Sequence, residues 1–562
     1  MEENLLQTIR DPHRRRTKLE RILEAVPASL VWFTFFAAIY FSFTHPAWAA
    51  VYIIIFDTYW VLKAINTTLH LLSSYNHYGH DLKINWFEVL PQLGNKEKYL
   101  NDLRAELKTA PFRYREIIKN EIERIGKANL SLNYEDIYHV ILFPFVNESV
   151  ELLRASLNGI LNSNYRKDRV VILLAAEERA GEAAQTTAKC LQNEFTRYFK
   201  AFLVSTHPDG LPGEIRGKSA NASYAAEQAL KPYLLQEGIA FENVIISNLD
   251  SDTNIHGDYL ARVSYEWLLA KNPHRRSYQP ITLYNNNMWD SPALVRVIAV
   301  ANSFWQFMES SRPDRLRTFS SHSMSFKTLV EVGYWKKDVV NEDSCIFWQC
   351  YFYFDGKYYT QPIFIPVSMD TCLADTYKQT LINQYKQKRR WAYNVEYFPW
   401  LAKNLLGNRK IGLWHRLYKF WQYIEGNYNW ATASIVIASM GFLPSFLGNN
   451  FVGTVFGYNL PYATKLMMNI ALIFLIFSVY INMVLLPPRP KRYKWTRTAA
   501  MYAQWALVPL ISIIWGSIPA IEAQTRVALG KYMEFWVTPK ARHQENLKVQ
   551  HSNLNQTSSM KS

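Results

Sequence analysis

The chain has 562 residues, which is enough for one large catalytic domain together with several membrane segments. Its 62 Lys and Arg exceed its 47 Asp and Glu, and the net charge of +15 would suit nucleic acid, an anionic membrane surface or an anionic substrate. Aromatic residues make up 15% of the chain, which argues against nucleic acid as a partner and favours a membrane interface or sugar binding.

The N-terminal region predicts a membrane anchor. A basic segment, residues 1–24, precedes the apolar runs Ala25–Thr44 and Ala47–Leu69, each long enough to cross a bilayer. The first run is too long for a signal-peptide core, so a retained anchor is expected. Asp57 and Lys63 lie in the second run, where they indicate either a functional path or a polar helix contact, and the sequence leaves both open.

The middle of the chain predicts an α/β domain. Four apolar runs alternate with helical patterns, and they are His139–Phe145, Arg169–Ala176, Ala201–Thr206 and Val244–Asn248. This alternation predicts a mostly parallel, doubly wound, Rossmann-like sheet. Because ligands of such sheets bind beyond the carboxyl ends of the strands, the chemistry is expected there.

The C-terminal region predicts a return to the membrane. Ile411–Ile424 interleaves aromatic and cationic residues, which is typical of a helix in the interface plane. Asn429–Leu447 and Thr464–Leu486 are two further candidate spans. Ala499–Ile521 is interrupted by two prolines and a glycine, and it predicts a re-entrant or interfacial hairpin, with a fifth crossing as the alternative.

The distribution of cations predicts the topology. The basic N-terminus, the basic middle region and the cations between Arg489 and Arg497 can all be cytoplasmic if four spans form two hairpins. The predicted segments are a basic cytoplasmic N-terminus (1–24), two transmembrane helices (25–70), connecting helices (71–134), the catalytic domain (135–405), an interfacial helix (406–427), two transmembrane helices (428–487), a re-entrant or interfacial hairpin with the loop after it (495–540) and a flexible tail (541–562).

The strongest local signal is an acidic pair at the end of the fourth strand. Asp250 and Asp252 form a D-x-D pattern, whose carboxylates can hold Mg²⁺ or Mn²⁺ while the open positions of the metal accept a diphosphate. Such pairs also occur in solvated turns, so the position after an apolar strand is what makes this one a candidate metal site.

Two further motifs lie downstream. Glu342 and Asp343 precede a predicted helix that starts near Ser344, where an acidic pair is either a helix cap or the source of a general base. In Gln387–Trp391 the cations could bind a diphosphate and the tryptophan could stack on a sugar. The alternative for this segment is a solvated basic face with one tryptophan in the core.

Taken in order, the motifs resemble those of the membrane-integrated family-2 glycosyltransferases, the group that contains cellulose and hyaluronan synthases. The resemblance runs from about His139 to Trp391, and the flanking apolar runs agree with it. It implies a GT-A catalytic domain inserted between transmembrane helices. It also implies a hexosyltransferase with Mg²⁺ or Mn²⁺, a nucleotide-sugar donor (a UDP-sugar is favoured) and a saccharide or lipid-linked acceptor, in contact with a lipid bilayer and without nucleic acid.

The resemblance assigns roles to particular residues. Asp343 matches the catalytic base, and Asp252 matches the direct metal ligand beside Asp250. The donor-binding positions are Pro144, Asn147, Glu148, Glu177, Lys218, Asn221 and Asp250. The acceptor- and diphosphate-binding positions are Glu342, Gln387, Arg390 and Trp391. The positions that resemble a gating loop over the donor are Phe535, Val537, Thr538 and Lys540.

Three departures from the family pattern leave the nucleotide base and the acceptor open. Glu177 stands where the family usually has an aspartate that reads the base, and Asn341 stands where many relatives have threonine. The segment Phe319–Phe326 lacks the glycine often found on the acceptor side. Within it, His322 is either a contact to a sugar or phosphate or a hydrogen-bonded structural histidine.

The function predicted from these features is inverting transfer of a sugar at the cytoplasmic face of the cell membrane. A processive polysaccharide synthase is the first form of this hypothesis. The alternatives are a single-transfer enzyme that acts on a lipid or lipid-phosphate acceptor and a non-catalytic export or scaffold component. Since Asp250, Asp252 and Asp343 are all intact, the sequence argues against the last of these.

Overall fold

The structure is a computed structural model that describes residues 16–130, 132–484 and 486–538. The basic residues before Arg16, Lys540 and the tail 541–562 lie outside the described residues. The eight strands of the catalytic domain are β1 (Tyr138–Pro144), β2 (Val170–Glu177), β3 (Ala201–His207), β4 (Val244–Asn248), β5 (Asn254–Ile255), β6 (Arg276–Leu283), β7 (His322–Ser325) and β8 (Tyr359–Ser368). The four predicted strands are confirmed as β1 to β4, with each end within one residue.

The strands form one mixed sheet in the order β3-β2-β1-β4-β7-β6-β8-β5. Four of the seven strand pairings are parallel, and the antiparallel strands β5 and β7 account for the other three. In β1, β2 and β4 nearly every residue is buried, because helices cover both faces of this part of the sheet. The predicted mostly parallel sheet is therefore confirmed, with an antiparallel insertion that the sequence did not indicate.

Helices pack on both faces of the sheet and carry several of the predicted site residues. In the catalytic domain they are Val150–Leu161, Gly181–Phe195, Lys218–Ala225, Lys231–Gln236, Tyr259–Leu269, Ala293–Ser310, Phe326–Glu331, Glu342–Tyr353, Tyr377–Ala392 and Phe398–Gly407. Three connecting helices, Trp86–Val89, Lys96–Thr109 and Phe112–Lys127, precede β1. The acidic pair does not precede its helix, as the sequence predicted, but forms its first turn, since that helix already begins at Glu342.

In the described part of the chain, five helical segments are long and apolar enough to cross a membrane. They are Lys18–Thr44, Pro46–Asp81, Leu413–Leu447, Val455–Ile481 and Trp495–Ala528. The interfacial helix predicted over 406–427 is not a separate element. It belongs to one helix, Leu413–Ser439, because no proline interrupts the chain between the predicted interfacial and spanning parts.

The fifth segment, Trp495–Ala528, is helical throughout, so the chain does not reverse as the predicted hairpin requires. Pro509 and Pro519 fit because each lies in the first turn of an α-helical piece, where a missing N–H is tolerated. Both ends of the segment nevertheless contact the catalytic domain. Arg497 Nη2 donates to the Trp289 carbonyl at 2.8 Å near the start, and Glu522 pairs with Arg389 at 2.6 Å near the end. Both ends of the segment therefore pack against the catalytic domain.

Candidate active site

A lysine joins the acidic motifs beyond the carboxyl ends of the strands. Lys218 begins the helix Lys218–Ala225, and its Nζ lies 2.7 Å from Asp250 Oδ1 and 3.3 Å from Asp343 Oδ1. Glu342 Oε1 is 3.9 Å from the same ammonium. The structure thus brings together three separate parts of the chain: the turn after β4, the first turn of the helix Glu342–Tyr353 and the start of the lysine helix.

The charges of this cluster depend on one another. Burial of Lys218 would lower its pKa, but Asp250, Asp343 and Glu342 together raise it above its ordinary value, so the ammonium stays charged. Burial is also the main reason why the pKa of Glu342 rises to about 8, and the negative charge of Asp343 adds to that rise. At neutral pH, Glu342 is therefore a neutral neighbour of the candidate base.

The D-x-D carboxylates are held by neighbouring loops. Asp250 Oδ2 accepts a hydrogen bond from Ser320 Oγ at 2.7 Å. Asp252 is fully buried, and its Oδ2 accepts from the backbone N–H of Asp370 at 2.8 Å. The side chain of Asn286 donates to the Asp252 carbonyl at 3.1 Å, so loops after β6 and β8 fix the turn.

The carboxylate oxygens of this turn fit a divalent cation that takes only one or two of its ligands from the protein. Among the residues that the structure describes, no group of three or more His, Cys, Asp or Glu side chains is arranged to hold a metal. Mg²⁺ and Mn²⁺ prefer oxygen ligands, and Mg²⁺ is commonly bound by one or two carboxylates together with substrate phosphates. Asp250 and Asp252 supply such a pair, with the remaining ligands left to a diphosphate and water.

The predicted donor-binding residues lie around the ends of β1 and β2. Glu148 Oε1 accepts from Ser251 Oγ at 3.0 Å and therefore ties the end of β1, at Pro144, to the D-x-D turn. Glu177 ends β2 and pairs with Arg179 at 2.5 Å; burial raises its pKa, although Arg179 opposes the rise.

The other two predicted donor-side residues have different surroundings. Asn147 is exposed in the loop after β1. Asn221 is fully buried, and its Nδ2 donates to the Ala175 carbonyl at 2.7 Å. That contact fixes the lysine helix to β2, so Asn221 positions Lys218 from within the fold.

His322 is a structural histidine in this arrangement. Its Nδ1 lies 2.9 Å from the Phe319 carbonyl, and the indole N–H of Trp335 donates to its Nε2 at 3.4 Å. Burial lowers its pKa, so the ring is neutral, with the tautomer given by these two partners. Nδ1 is also 3.6 Å from Asp343 Oδ1, which places the ring directly behind the candidate base.

The helix Tyr377–Ala392 carries the predicted acceptor motif. The Arg390 carbonyl accepts from the Asn341 side chain at 3.0 Å, and this bond joins the motif to the acidic helix. Trp391 lies beside Tyr284, with ring centroids 6.1 Å apart. Gln387 is buried and accepts from Gln384 at 2.9 Å, so it contacts its own helix.

The segment after the last helix lies across the cluster. The guanidinium of Arg390 is 4.8 Å from the ring centroid of Phe535. A Cβ added at Gly217, next to Lys218, would lie 3.1 Å from the Phe535 side chain, so a larger residue there would push the ring away by a few tenths of an ångström. Thr538 is buried and Val537 is exposed. Of the predicted loop residues, Phe535 therefore lies against Arg390 and Gly217, and Val537 and Thr538 come directly after it in the chain. Lys540 lies outside the described residues.

Sequence reasoning gave no role to three residues that surround the cluster, whereas Lys388 is one of the cations of the predicted diphosphate-binding motif. Ser320 and Asp370 hold the D-x-D carboxylates, and Tyr284 faces Trp391. Lys388 Nζ lies 5.1 Å from the ring centroid of Trp391 and 5.9 Å from that of Trp430, and it donates to Asn302 at 2.6 Å. Burial lowers the pKa of Lys388 to about 8. Tyr284 follows β6, so the strand-end rule would have found it had β6 been predicted.

Comparison with known proteins identifies the catalytic domain. The family model for glycosyl transferase family group 2 matches residues 245–518, which include both acidic motifs and the helix Tyr377–Ala392. The chain is a glycosyltransferase, and its segment 245–518 is similar to family 2. Its mostly parallel sheet with helices on both faces is a GT-A-like domain, with candidate membrane helices on either side.

Two solved structures illustrate what the glycosyltransferase is similar to. The mannosyltransferase PcManGT from Pyrobaculum calidifontis, in complex with GDP-Man and Mn²⁺, is 14% identical, with a TM-score of 0.36 over 68% of this chain and 99% of that chain. Residues 1–349 of S. aureus TarS, in complex with UDP-GlcNAc, are 11% identical, with a TM-score of 0.34 over 71% of this chain and 94% of that chain. No curated protein matches this chain.

The raised pKa of Glu342 predicts an alkaline limit to activity. Glu342 is neutral below about pH 8 and ionises above it, which adds a negative charge beside Asp343 and repels an anionic donor. We expect kcat/KM for the donor to fall by up to about tenfold per pH unit above that value. In Glu342→Gln this alkaline fall of kcat/KM should be absent. The control variant Glu116→Gln, which changes an exposed helical residue, should keep it. A fall of the same slope in Glu342→Gln would assign it to another group.

Proposed function

We propose that this glycosyltransferase is an inverting, metal-dependent enzyme that moves a sugar from a nucleotide-sugar donor to a saccharide acceptor at the cytoplasmic face of a membrane. The observation that carries the proposal is the convergence of Asp250 and Asp343 within 3.3 Å of the ammonium nitrogen of Lys218. A metal-binding turn and a candidate base that share a neighbour can act on the same donor molecule. A UDP-sugar is the favoured donor.

Asp343 is the proposed general base. A carboxylate oxygen of Asp343 accepts the proton of the acceptor hydroxyl. At the same time the hydroxyl oxygen of the acceptor attacks the anomeric carbon, and the bond from this carbon to the diphosphate breaks. A single displacement of this kind inverts the anomeric configuration. The 22% exposure of the Asp343 side chain leaves it accessible to an acceptor, whereas Glu342, with 3%, is covered.

Cationic groups on the donor side stabilise the leaving nucleoside diphosphate. Lys218 contacts Asp250 of the D-x-D turn, and Phe535 lies against both the Arg390 guanidinium and Gly217, the neighbour of Lys218, so both cations can face the phosphates. A divalent cation, when held by Asp250 and Asp252, would neutralise negative charge on the diphosphate. Ser320 and the backbone of Asp370 keep the two carboxylates oriented for this role.

An aromatic path supports a saccharide as the acceptor. From the reaction site it runs through Tyr284 and Trp391 to Trp430 on the helix Leu413–Ser439, with Lys388 between the two indole rings. Flat apolar faces of this kind stack on sugar rings. A path that leads from the base towards a candidate membrane span favours a growing polymer. Product length on a gel distinguishes this from single transfer to a lipid or lipid phosphate.

The arrangement of the membrane segments supports a cytoplasmic catalytic domain. Four candidate spans form two hairpins on either side of it, and the fifth segment returns to the domain at both ends. With an even number of crossings, the basic residues before the first span and those after the fourth span lie on the same side of the membrane, as the positive-inside rule requires.

Donor binding is expected to require the metal. Calorimetric titration of the purified full chain with a UDP-sugar should show binding in Mn²⁺ that weakens by at least about 100-fold in a chelator, because charge neutralisation by a metal contributes several kcal/mol. Asp252→Asn should lose the same affinity in Mn²⁺, whereas Asp136→Asn, on an exposed turn, should bind normally. Equal binding of donor with and without metal would contradict the metal-dependent mechanism.

A further inference from the structure

A basic cavity lies at the end of the sheet opposite the candidate active site. Its volume is about 510 Å³, and it is lined by the segments before β6 and β8 and by the first turns of the helix Leu413–Ser439. β8 runs from Tyr359 at this cavity to Ser368, close to the D-x-D turn. That strand spans roughly 30 Å at about 3.3 Å per residue, so the cavity is separate from the reaction site.

Positive charge dominates the walls of this cavity. The basic residues that line it are Lys271, Arg275, Arg276, Lys357, His415 and Lys419. Asp314 is the one carboxylate among the lining residues, and it accepts from the Tyr418 hydroxyl at 2.8 Å. Within the described ranges of the chain, no carboxylate oxygen lies within 4.0 Å of a nitrogen of these six basic side chains. The positive charge of the cavity therefore comes mainly from Lys271, Arg275, Arg276 and Lys357, none of which has a direct carboxylate partner among the side chains that are described.

The helix that closes the cavity also presents an apolar stripe. Trp414, Leu417 and Trp421 are 83%, 41% and 62% exposed. Their spacing of three and four residues places them on one face of the helix, next to the face that carries His415 and Lys419. Exposed tryptophans beside cations are typical of helices at the level of lipid headgroups.

The depth of this region follows from two membrane helices. Glu425 pairs with Lys63 at 2.5 Å, and Lys63 lies 17 residues after Pro46, the first residue of its helix. That distance is roughly 26 Å, which is close to the thickness of about 30 Å of a hydrocarbon core. Lys419 precedes Glu425 by six residues, or roughly 9 Å, a depth comparable to the headgroup layer. The cavity therefore opens at the surface of the membrane.

We propose that this cavity binds the phosphate of an anionic phospholipid headgroup. The cations surround the phosphate, while the stripe Trp414, Leu417 and Trp421 contacts the acyl chains that leave the cavity. A free phosphate ion would use the same cations but would gain nothing from the stripe. The bound lipid fixes the catalytic domain to the helix Leu413–Ser439, because the cations come from both.

Direct binding tests this assignment. The full-length protein in neutral detergent is titrated with a short-chain phosphatidylglycerol, and retained lipid is counted by native mass spectrometry. The wild type should retain one molecule. The variant Lys271→Gln/Arg275→Gln/Lys357→Gln should bind it about 100-fold more weakly, since each basic side chain near a membrane surface contributes about 1 kcal/mol. All three cations are exposed, so the change leaves the core intact.

Controls separate a specific site from general attraction. The variant Lys108→Gln/Lys119→Gln/Lys189→Gln removes the same charge from other exposed positions and should retain the lipid as the wild type does. Short-chain phosphatidylcholine should not be retained, and inorganic phosphate should not displace phosphatidylglycerol at equal concentration. Equal weakening in both triple variants, equal retention of phosphatidylcholine or displacement by inorganic phosphate would each overturn the lipid assignment.

Discussion

Replacement of Asp343 with asparagine should reduce the release of nucleoside diphosphate by about 1,000-fold, because general base catalysis typically contributes between 100-fold and 10,000-fold. Asparagine keeps the shape of the side chain and its place beside Lys218, but it cannot accept the proton of the acceptor hydroxyl. The measurement is the rate of diphosphate release by the purified full chain with donor, acceptor and Mn²⁺.

Two controls make this result specific to Asp343. Donor affinity of Asp343→Asn, measured by calorimetry, should stay near that of the wild type, since the D-x-D turn is unchanged. Asp102→Asn, on the exposed face of the helix Lys96–Thr109, should release diphosphate at the normal rate. Turnover of Asp343→Asn close to the wild-type rate would remove Asp343 from the role of base.

Replacement of Lys218 with methionine should affect both stability and activity. The ammonium lies 2.7 Å from Asp250 and 3.3 Å from Asp343, and its side chain is 12% exposed. Loss of one partner from a buried ion pair costs about 3–5 kcal/mol, because the remaining carboxylates keep their charge without compensation. We therefore expect the midpoint temperature of unfolding to fall clearly and the turnover rate to fall with it.

A second substitution distinguishes this charge effect from a packing effect. In the background of Lys218→Met, the change Asp343→Asn removes one of the two facing carboxylates and should recover part of the lost stability. Lys218→Arg keeps the charge and should remain close to the wild type in midpoint. If Lys218→Met/Asp343→Asn is less stable than Lys218→Met, repulsion between the carboxylates is not the cause.

The predictability of the strands depended on their composition. β1, β2 and β4 are apolar runs between turn residues, and the sequence located them to within one residue. β8 contains Pro362 and Pro366, and β6 contains Pro280, and a proline within a run argues against a strand. β8 tolerates its prolines because β5, its second neighbour, pairs with only its last two residues. β7 is mostly serine and histidine, so only its position between β4 and β6 makes it a strand.

The candidate site was predictable where a motif is local. The D-x-D pair, the acidic pair and the helix Tyr377–Ala392 each occupy a short stretch with its own pattern. The contact of Lys218 with both Asp250 and Asp343 depends on segments 32 and 125 residues away along the chain, which periodicity cannot relate. Ser320 and Tyr284 were missed for the same reason, because their loops acquire a role only when β6 and β7 are in place.

The membrane segments show where apolar patterns are ambiguous. The sequence predicted a hairpin over Ala499–Ile521 from its prolines and glycine, whereas the chain remains helical through short turns of other helix types. Composition identifies a long apolar helix but not its path, which depends on contacts at its ends. Arg497 with Trp289 and Glu522 with Arg389 decide that path here.

The position of Phe535 has a consequence for biosynthesis. A ribosome makes Gly217 and Arg390 before Phe535, which lies against both. The Ala528 carbonyl, just before this segment, accepts a hydrogen bond from Arg21 of the first candidate membrane helix. During translation the cluster therefore lacks the Phe535 contact until the segment after Ala528 has been made. Since Ala528 and Arg21 belong to the fifth and the first candidate membrane segments, the position of Phe535 depends on the packing of those two segments against each other.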